Sequence, residues 1–136
     1  DYPHRFAVVG PHFVLVAVRD LATLKRARLN EAVRDEISGN GLLATFAFAP
    51  EAYSDDADFA ARMFFAAQGA REDPATGSAN AAFASYLRDL GQSGRRIVEQ
   101  GFEINRPSRL YLDVGDTIRV GGRVQPVLAG EVTAAL

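Results

Sequence analysis

An acidic pair, a proline and two hydroxyl side chains form the stretch of this sequence that is best suited to chemistry. The stretch runs Glu72-Asp73-Pro74-Ala75-Thr76-Gly77-Ser78 and leads into an apolar segment. The backbone N–H groups of a first helical turn have no intrahelical partners and carry partial positive charge. Gly77 lets a ligand approach that backbone, and Thr76 and Ser78 add hydroxyls. The stretch therefore predicts a site for a small anion such as a carboxylate, with an acid beside it.

The apolar segment after Ser78 predicts a buried helix. Large apolar residues recur with helical spacing at 83, 86, 87 and 90, and alanines occupy most of the other positions. The first charges are Arg88 and Asp89, close to Gly91, which is a typical helix stop. Because a helix that is apolar on all sides is buried, we expect strands to cover this one from several directions.

Composition predicts one domain and excludes several function classes. The 136 residues suffice for one hydrophobic core, and the formal net charge of −2 argues against a nucleic-acid partner. Cysteine is absent and histidine occurs only as His4 and His12, both expected to be exposed and without a role. We therefore expect no thiolate metal site, no cysteine nucleophile and no histidine-rich metal site. Apolar runs are too short for a membrane span and no signal peptide is visible, so we expect a cytoplasmic protein.

The rest of the chain predicts an α+β fold of short strands. Two short helices are expected, one over 21–27 capped by Asp20 and one that follows Asn30 and ends at 38–41. Loops are expected over 50–56 and 68–74, and Gly121-Gly122 predicts a tight hairpin turn. Strands are expected over 5–9, 13–19, 42–49, 59–66, 95–100, 110–114, 117–120, 123–128 and 131–135. Mostly antiparallel strands wrapped around the central apolar helix satisfy this pattern.

The sequence resembles the second half of the PhzF-like (phenazine biosynthesis) isomerases. The run Glu72-Asp73-Pro74-Ala75-Thr76-Gly77-Ser78-Ala79 is the specific part of this likeness, and the other matching positions occur in the same order along nearly the whole chain. They are Arg62-Met63-Phe64, Gly69, Tyr86-Leu87, Gln100-Gly101, Arg106-Pro107-Ser108, Val120-Gly121-Gly122 and Gly130. The resemblance implies the diaminopimelate-epimerase-like fold, in which two similar halves each wrap a sheet around a central helix.

The resemblance also implies a division of catalytic labour between two halves. Members of this family are about twice as long as this chain, and their general-base glutamate lies in the half that is absent here. By position, Asp73 matches the acidic residue that faces this base across the cleft, and Gly77 and Ser78 match the residues that hold the substrate carboxylate. We therefore predict Asp73 as catalytic and Glu72, Thr76, Gly77 and Ser78 as substrate-binding.

The implied reaction is cofactor-free proton movement on a small carboxylate-bearing metabolite, as in the isomerisation of trans-2,3-dihydro-3-hydroxyanthranilate. The other class of function is a binding or interaction module of the same fold without turnover. The chain begins with Asp1 rather than methionine, so we expect a processed or trimmed piece of a longer protein, inactive by itself. The expected partners are the metabolite, the absent N-terminal half and a second copy in a homodimer or by self-association.

Several residues keep a structural alternative. Asp73 before a proline can simply cap a turn, and Ser78 can be an ordinary hydrogen-bonding residue at a helix start. Arg62 and Arg106 can face a cleft, but a structural ion pair is the favoured interpretation for each. Phe64 and Phe65 are expected in the core and at its rim.

Overall fold

In the computed structural model, which describes residues 2–38, 43–65, 72–131 and 133, short strands form one mixed sheet with a few helices on it. The strands are β1 (Arg5–Val8), β2 (His12–Ala17), β3 (Leu43–Ala49), β4 (Phe59–Phe64), β5 (Glu72–Asp73), β6 (Gly94–Gln100), β7 (Ser108–Val114) and β8 (Arg119–Gly121). The helices are α1 (Leu21–Arg26), α2 (Glu31–Ser38), α3 (Gly77–Asp89) and a 3₁₀ turn over Phe102–Ile104.

The sheet has the order β1-β2-β3-β4-β6-β7-β8, and β5 also pairs with β4. Five of the described pairings are antiparallel, which confirms the mostly antiparallel prediction. The pairs β2–β3 and β4–β6 are parallel. Parallel neighbours need a crossover connection, and here α1 and α2 lie between β2 and β3 while α3 lies between β4 and β6.

The helix ends follow the local signals in the sequence. The side chains of Asp20 and Asn30 each accept a hydrogen bond from the backbone N–H three residues ahead, at 2.6 and 3.3 Å. At the end of α3, Gly91 has a φ of 78°, and backbone bonds return to the carbonyls of Leu87 and Arg88 at 3.0 and 2.8 Å. This pattern is the Schellman motif. The predicted caps and the predicted glycine stop are therefore confirmed.

Alternate residues of β3 and β4 divide the core between the two faces of the sheet. On the inner face, Phe83 of α3 packs against Phe48 and Phe59, with ring centroids 4.5 and 5.1 Å apart. Phe46 and Phe48 share this face, as predicted. On the outer face, a smaller cluster forms around the buried Leu24 of α1. The sheet thus separates two environments, a helix-filled inner side and an outer side covered by short helices.

Helix α3 is largely but not completely covered. Its buried residues are Ala79, Asn80, Ala82, Phe83, Ala84, Tyr86 and Leu87. A stripe along the other side contains Ser78, Ala81, Ser85 and Arg88, which are half-buried or exposed. The prediction that strands enclose the helix from every direction is therefore not confirmed by the described residues.

The strand prediction over 123–128 is wrong. Residues 122–131 follow β8 without forming a helix or a strand, so Gly121-Gly122 does not open a hairpin. Pro126 lacks the N–H group that a ladder needs. The apolar side chains of this segment also find no cover: Val124, Val127 and Leu128 are 87, 90 and 94% exposed. In the strand predicted over 131–135, Glu131 is not in a strand, and 132 and 134–136 lie outside the described residues.

The predicted loop over 68–74 is only partly described. Residues 66–71, including Gly69, lie outside the described residues. The next two residues, Glu72 and Asp73, form the short strand β5 on β4 rather than loop. This correction matters because a strand fixes the direction of each of these two acidic side chains.

Candidate functional site

Strand β4 brings Asp73 and Gln100 together because two strands share its edge. The end of β6 pairs with the first half of β4, with Gln100 opposite Ala61. The strand β5 pairs with the second half, with Asp73 opposite Met63. Ala61 and Met63 both face the inner core. Since residues paired across a sheet share a face, Asp73 and Gln100 both point to the inner side, where α3 begins.

A hydrogen-bond network joins Asp73 to the residue before α3. The hydroxyl of Thr76 donates to Oδ2 of Asp73. The Nε2 group of Gln100 donates to the backbone carbonyl of Asp73 at 2.6 Å and to Oγ1 of Thr76 at 3.1 Å. Gln100 is fully buried, and Thr76 is buried as well. Two neutral side chains therefore hold Asp73: Thr76 bonds its carboxyl group and Gln100 bonds its backbone carbonyl.

Asn80, in the first turn of α3, closes this network from the helix side. Its Nδ2 group donates to the carbonyl of Thr76 at 2.9 Å and to Oε1 of Gln100 at 3.1 Å. Asn80 is fully buried, and its Oδ1 atom has no hydrogen-bond partner among the described residues. The orientation of both amides follows from these bonds. A backbone carbonyl oxygen can only accept, so the N–H side of Asn80 faces the carbonyl of Thr76 and the N–H side of Gln100 faces the carbonyl of Asp73.

The first turn of α3 has free backbone donors. Thr76 is the N-cap residue, but its side chain makes no cap hydrogen bond because its hydroxyl donates to Asp73 instead. No described group accepts a hydrogen bond from the backbone N–H of Gly77, Ser78 or Ala79. A Cβ atom built on the exposed Gly77 would meet nothing within 4 Å. This turn can therefore accept a small anion, and the half-buried Ser78 adds a hydroxyl beside it.

An open groove of about 650 Å³ lies against this helix start. Its walls are the start of β7 and the chain that leaves β8, with Arg109 and Arg123 among the residues that line it. From the helix side only Ala75 and Gly77 contribute. Asp73, Thr76 and Ser78 do not line the groove. Asp73 and Thr76 therefore lie together on one side of the helix start, and Gly77 faces the groove on the other side.

Glu72 has a different environment, on the outer face of the sheet. Its carboxylate forms a two-pronged ion pair with Arg62, at 2.7 and 3.0 Å, and both side chains are 6% exposed. Burial opposes the guanidinium charge, but the hydrogen bonds and charge of Glu72, together with the nearby Glu103 and Tyr53, outweigh it and raise the pKa of Arg62. The structural ion pair predicted for Arg62 is confirmed. The substrate-binding role predicted for Glu72 stays a prediction, and its side chain points away from that of Asp73.

Arg62 also connects the candidate site to α1. Its Nη1 group donates to the carbonyls of Leu24, Lys25 and Ala27 at 3.1, 3.3 and 2.9 Å. These carbonyls lie at the end of α1, where regular helical hydrogen bonding stops and other donors are needed to satisfy the carbonyl groups. Glu103 lies 3.7 Å from Nε of Arg62. Arg62, Glu72 and Glu103 therefore form a buried charged cluster on the outer face of the sheet, the outer cluster, which holds β5 in place.

Tyr53 completes this outer cluster. Its hydroxyl donates to Glu103, and its ring stacks on Phe102 with centroids 3.8 Å apart. Burial and the bond to Glu103 raise the pKa of Tyr53 well above its usual value. The hydroxyl therefore remains protonated and acts as a donor at neutral pH. Sequence reasoning missed this residue, because only the fold brings a loop residue at 53 beside the 3₁₀ turn.

The remaining predictions for single side chains have simple outcomes. Phe64 is buried and Phe65 is 38% exposed, as expected for core and rim. His4 and His12 are exposed, as predicted. Arg106 is exposed and forms no ion pair with any described residue, so the ion pair favoured for it is wrong for the part of the chain described.

Neither a metal-binding cluster nor a membrane-spanning helix is present among the described residues. No group of three or more histidine, cysteine, aspartate or glutamate side chains within them is placed to hold a metal ion. None of their helices combines the length and the apolar character that a membrane crossing requires.

Sequence reasoning missed two buried amides at the candidate site. Asn80 was a detectable signal, since it is a polar residue inside an otherwise apolar helix start. Gln100 was recognised only as a strand end and as a position that matches the family resemblance, and no role was assigned to it. Gly101, next to it, has a φ of 85°, and a Cβ atom there would lie 2.9 Å from Cα of Pro74. Gln100 thus forms a hydrogen bond with the segment that carries Asp73, and Gly101 packs closely against the same segment.

Known proteins with similar sequences match nearly the whole chain. A family model described as phenazine biosynthesis-like protein matches residues 1–134. A relative in Mesorhizobium japonicum, named as an uncharacterized isomerase, is 29% identical over 95% of this chain and 48% of its own length. A second uncharacterized isomerase, from Pasteurella multocida, is 32% identical over 90% of this chain and 42% of its own length.

Solved structures show the same fold. The chain superposes on a predicted epimerase from Pseudomonas aeruginosa with a TM-score of 0.62 and 28% identity, over 93% of this chain and 44% of that one. A PhzF-family protein from Bacillus anthracis gives a TM-score of 0.61 at 24% identity, over 82% of this chain and 41% of that one. The chain spans about half the length of the curated relatives it matches.

Proposed function

The chain belongs to the phenazine biosynthesis-like (PhzC-PhzF) family, and from this premise we propose that it supplies the C-terminal half of a cofactor-independent isomerase or epimerase. The substrate is a small carboxylate-bearing metabolite. One observation carries the proposal: the carboxyl group of Asp73 is held by Thr76, which is the residue immediately before the backbone donors that begin α3 and that have no described acceptor. An acid and an anion-binding turn are thus present on one rigid support.

The chemistry follows from what each group can do. The backbone N–H groups of Gly77 and Ser78, with the Ser78 hydroxyl, bind the substrate carboxylate. A glutamate in the other half removes a proton from a carbon of the substrate, and the electron pair moves into the adjoining unsaturated system. The helix N-terminus stabilises the charge that develops there. A proton is then returned at another carbon, and Asp73 is the group on this side that orients or delivers it.

The other half of the protein is the proposed partner of the surface around the groove. The segment 122–131 leaves β8 at the groove and carries three apolar side chains that are at least 87% exposed. The curated relatives are about twice as long as this chain, so they contain enough further chain to cover these residues. Exposed apolar groups of this kind also promote association between copies. We expect the isolated chain to form dimers or larger species in sizing experiments.

Reassembly of the two halves tests the proposed reaction. The chain is mixed with the N-terminal half of the Mesorhizobium relative, and trans-2,3-dihydro-3-hydroxyanthranilate is the probe in deuterated water. Loss of a carbon-bound proton signal by NMR in the mixture, but in neither half alone, supports the proposal. Asp73→Ala must abolish this exchange. The matched control is Asp89→Ala, which removes an exposed aspartate, paired with Arg5 at 2.7 Å, from the far end of α3.

The same experiment separates the enzyme from a binding module. Binding of the probe to the reassembled halves without proton exchange would favour a non-catalytic module for small carboxylates. Exchange that survives Asp73→Ala would contradict the role of Asp73 while leaving the family chemistry intact. The cytoplasmic location expected from the sequence stays a prediction.

A further inference from the structure

The direction of the hydrogen bond between Thr76 and Asp73 is set by a residue that lies outside the motif. A hydroxyl has one proton to donate and can accept two bonds. Gln100 places an N–H at Oγ1 of Thr76, so this oxygen already accepts. The proton of the hydroxyl is then directed to the remaining acceptor in reach, Oδ2 of Asp73. The amide of Gln100 thus decides which way the hydroxyl points.

The amide of Gln100 cannot turn round in this structure. Its Nε2 group also donates to the backbone carbonyl of Asp73 at 2.6 Å, and its Oε1 atom accepts from Asn80 at 3.1 Å. A flipped amide would place an oxygen against the Asp73 carbonyl and an N–H against the Asn80 donor. Gln100 and Asn80 are both fully buried, so water cannot replace these bonds. The orientation is therefore fixed from two sides.

We propose that Gln100 is a positioning residue that, through Thr76, holds the carboxyl group of Asp73 in one orientation for proton transfer. This inference rests on the proposed function. It also gives Thr76 a role different from substrate binding, because its hydroxyl is engaged with Asp73 and the residue is only 6% exposed. Gln100 acts on the reaction only through Thr76 and Asp73, since it lies behind both and does not line the groove.

Two pairs of substitutions test the positioning. Gln100→Met keeps the length of the side chain but removes all three of its hydrogen bonds. Thr76→Val removes the hydroxyl at nearly constant shape, whereas Thr76→Ser keeps it. The matched control is Gln92→Met, because Gln92 donates one side-chain bond, to Tyr2 at 3.1 Å, at the other end of α3. Far-ultraviolet circular dichroism confirms that each variant is folded.

The first readout needs no activity. Three-bond couplings across the Cα–Cβ bond of Asp73 report whether its side chain occupies one rotamer. We expect one rotamer in the unmodified chain, in Thr76→Ser and in Gln92→Met, and averaged couplings in Gln100→Met and Thr76→Val. A single rotamer in both of these last variants would overturn the proposal. Averaging in Gln92→Met to the same degree would overturn it as well, because the effect would then be general.

The second readout is proton exchange on the same probe by the reassembled halves. We expect kcat to fall about tenfold or more in Gln100→Met and Thr76→Val, with KM within about twofold, because the carboxylate-binding turn is untouched. Thr76→Ser should keep kcat within about threefold. A rise in KM at constant kcat would overturn the positioning role. If the unmodified halves do not act on the probe, the proposed function fails, and the rotamer measurement still decides the role of Gln100.

Discussion

Glu72 and Asp73 are adjacent in sequence, yet they occupy opposite faces of the sheet and contrasting environments. Glu72 is neutralised on the outer face by a two-pronged bond to Arg62. Among the described residues, the carboxyl group of Asp73 accepts one side-chain hydrogen bond, from the Thr76 hydroxyl on the inner face, beside a helix start whose N-cap side chain makes no cap bond. Neighbouring residues of a strand point in opposite directions, so β5 separates the two carboxylates. One acid anchors the segment and the other is available for chemistry.

Because the two acids lie in different environments, we expect loss of the Asp73 charge to lower kcat and loss of the Glu72 charge to lower the stability. Asp73→Asn should lower kcat of the reassembled enzyme by about 10² to 10⁴-fold, the usual contribution of a positioned acid or base. Its stability should change little, because an amide still accepts the Thr76 bond. Glu72→Gln should instead leave the buried Arg62 with only the more distant Glu103 among the described carboxylates, and lower the stability. Steady-state kinetics and urea unfolding of both variants check this, and equal losses of kcat would contradict this expectation.

Breaking the outer anchor should produce the largest change in stability. Arg62→Met leaves the Glu72 carboxylate buried and unpaired and removes the donor shared by three carbonyls at the end of α1. Loss of one member of a buried ion pair costs about 3 to 5 kcal/mol. Urea unfolding measures it.

The matched control for Arg62→Met is Arg119→Met. Arg119 pairs with Asp113 at 3.3 Å, and these side chains are 70 and 47% exposed. A surface pair of this kind contributes about 0 to 1 kcal/mol. If the two substitutions destabilise the protein equally, the outer cluster is not an anchor.

Gly101 offers a way to disturb the inner side without touching an acid. A Cβ atom there would lie 2.3 Å from the carbonyl oxygen of Arg106 and 2.9 Å from Cα of Pro74, and φ is 85°. Because both neighbours are backbone atoms, Gly101→Ala must shift the segment that follows Asp73. We expect a loss of about 2 to 3 kcal/mol from overpacking and strain, and a lower kcat.

Gly91→Ala isolates the part of this cost that comes from backbone conformation alone. Gly91 has a similar φ of 78°, but a Cβ atom there would meet nothing within 4 Å. Its substitution should cost about 1 kcal/mol. Thermal and urea unfolding of the two alanine variants give the difference, and a larger loss at Gly91 would show that the contact with Pro74 is unimportant.

Local signals were readable from the sequence, whereas contacts between distant segments were not. The caps at Asp20 and Asn30 and the stop at Gly91 need only a few neighbouring residues, and all three were predicted. The bond from Gln100 to Asp73 joins residues 27 apart, and it exists only because β5 and β6 share the edge of β4. No periodicity encodes such an edge.

At residues 123–128 a local pattern predicted a strand that does not form. Its composition resembles that of the strands that did form, with the apolar residues Val124, Val127 and Leu128 in a short run that begins with alternating polar and apolar positions. A strand, however, needs a neighbour to pair with and a face to cover, and Pro126 removes one of its donors. Within the described residues neither requirement is met. The prediction failed because a local pattern cannot tell whether such a partner is present.

The smallest expected effect is at the other end of α1, where the N-cap residue Asp20 is half-buried, in contrast to the buried anchor at its C-terminus. Contacts from Thr23, including its backbone N–H at 2.6 Å, and the Arg19 guanidinium lower the pKa of Asp20 to about 2. Because the folded pKa lies below the unfolded value of about 3.9, the carboxylate stabilises the fold above pH 4. This stabilisation is lost as the pH falls from about 4 to about 2.

Asp20→Asn tests this sign, since asparagine caps a helix about as well as aspartate but does not titrate. The difference in urea midpoint between the unmodified chain and Asp20→Asn should be largest near pH 6 and should shrink as the pH approaches 2. Asp55→Asn, at an exposed loop position, serves as the control for a general charge effect. A pH-independent difference would show that the charge of the cap contributes nothing. In that case the bonds from Arg62 and the packing of α1 would hold this helix in place without a contribution from the charge of its N-cap.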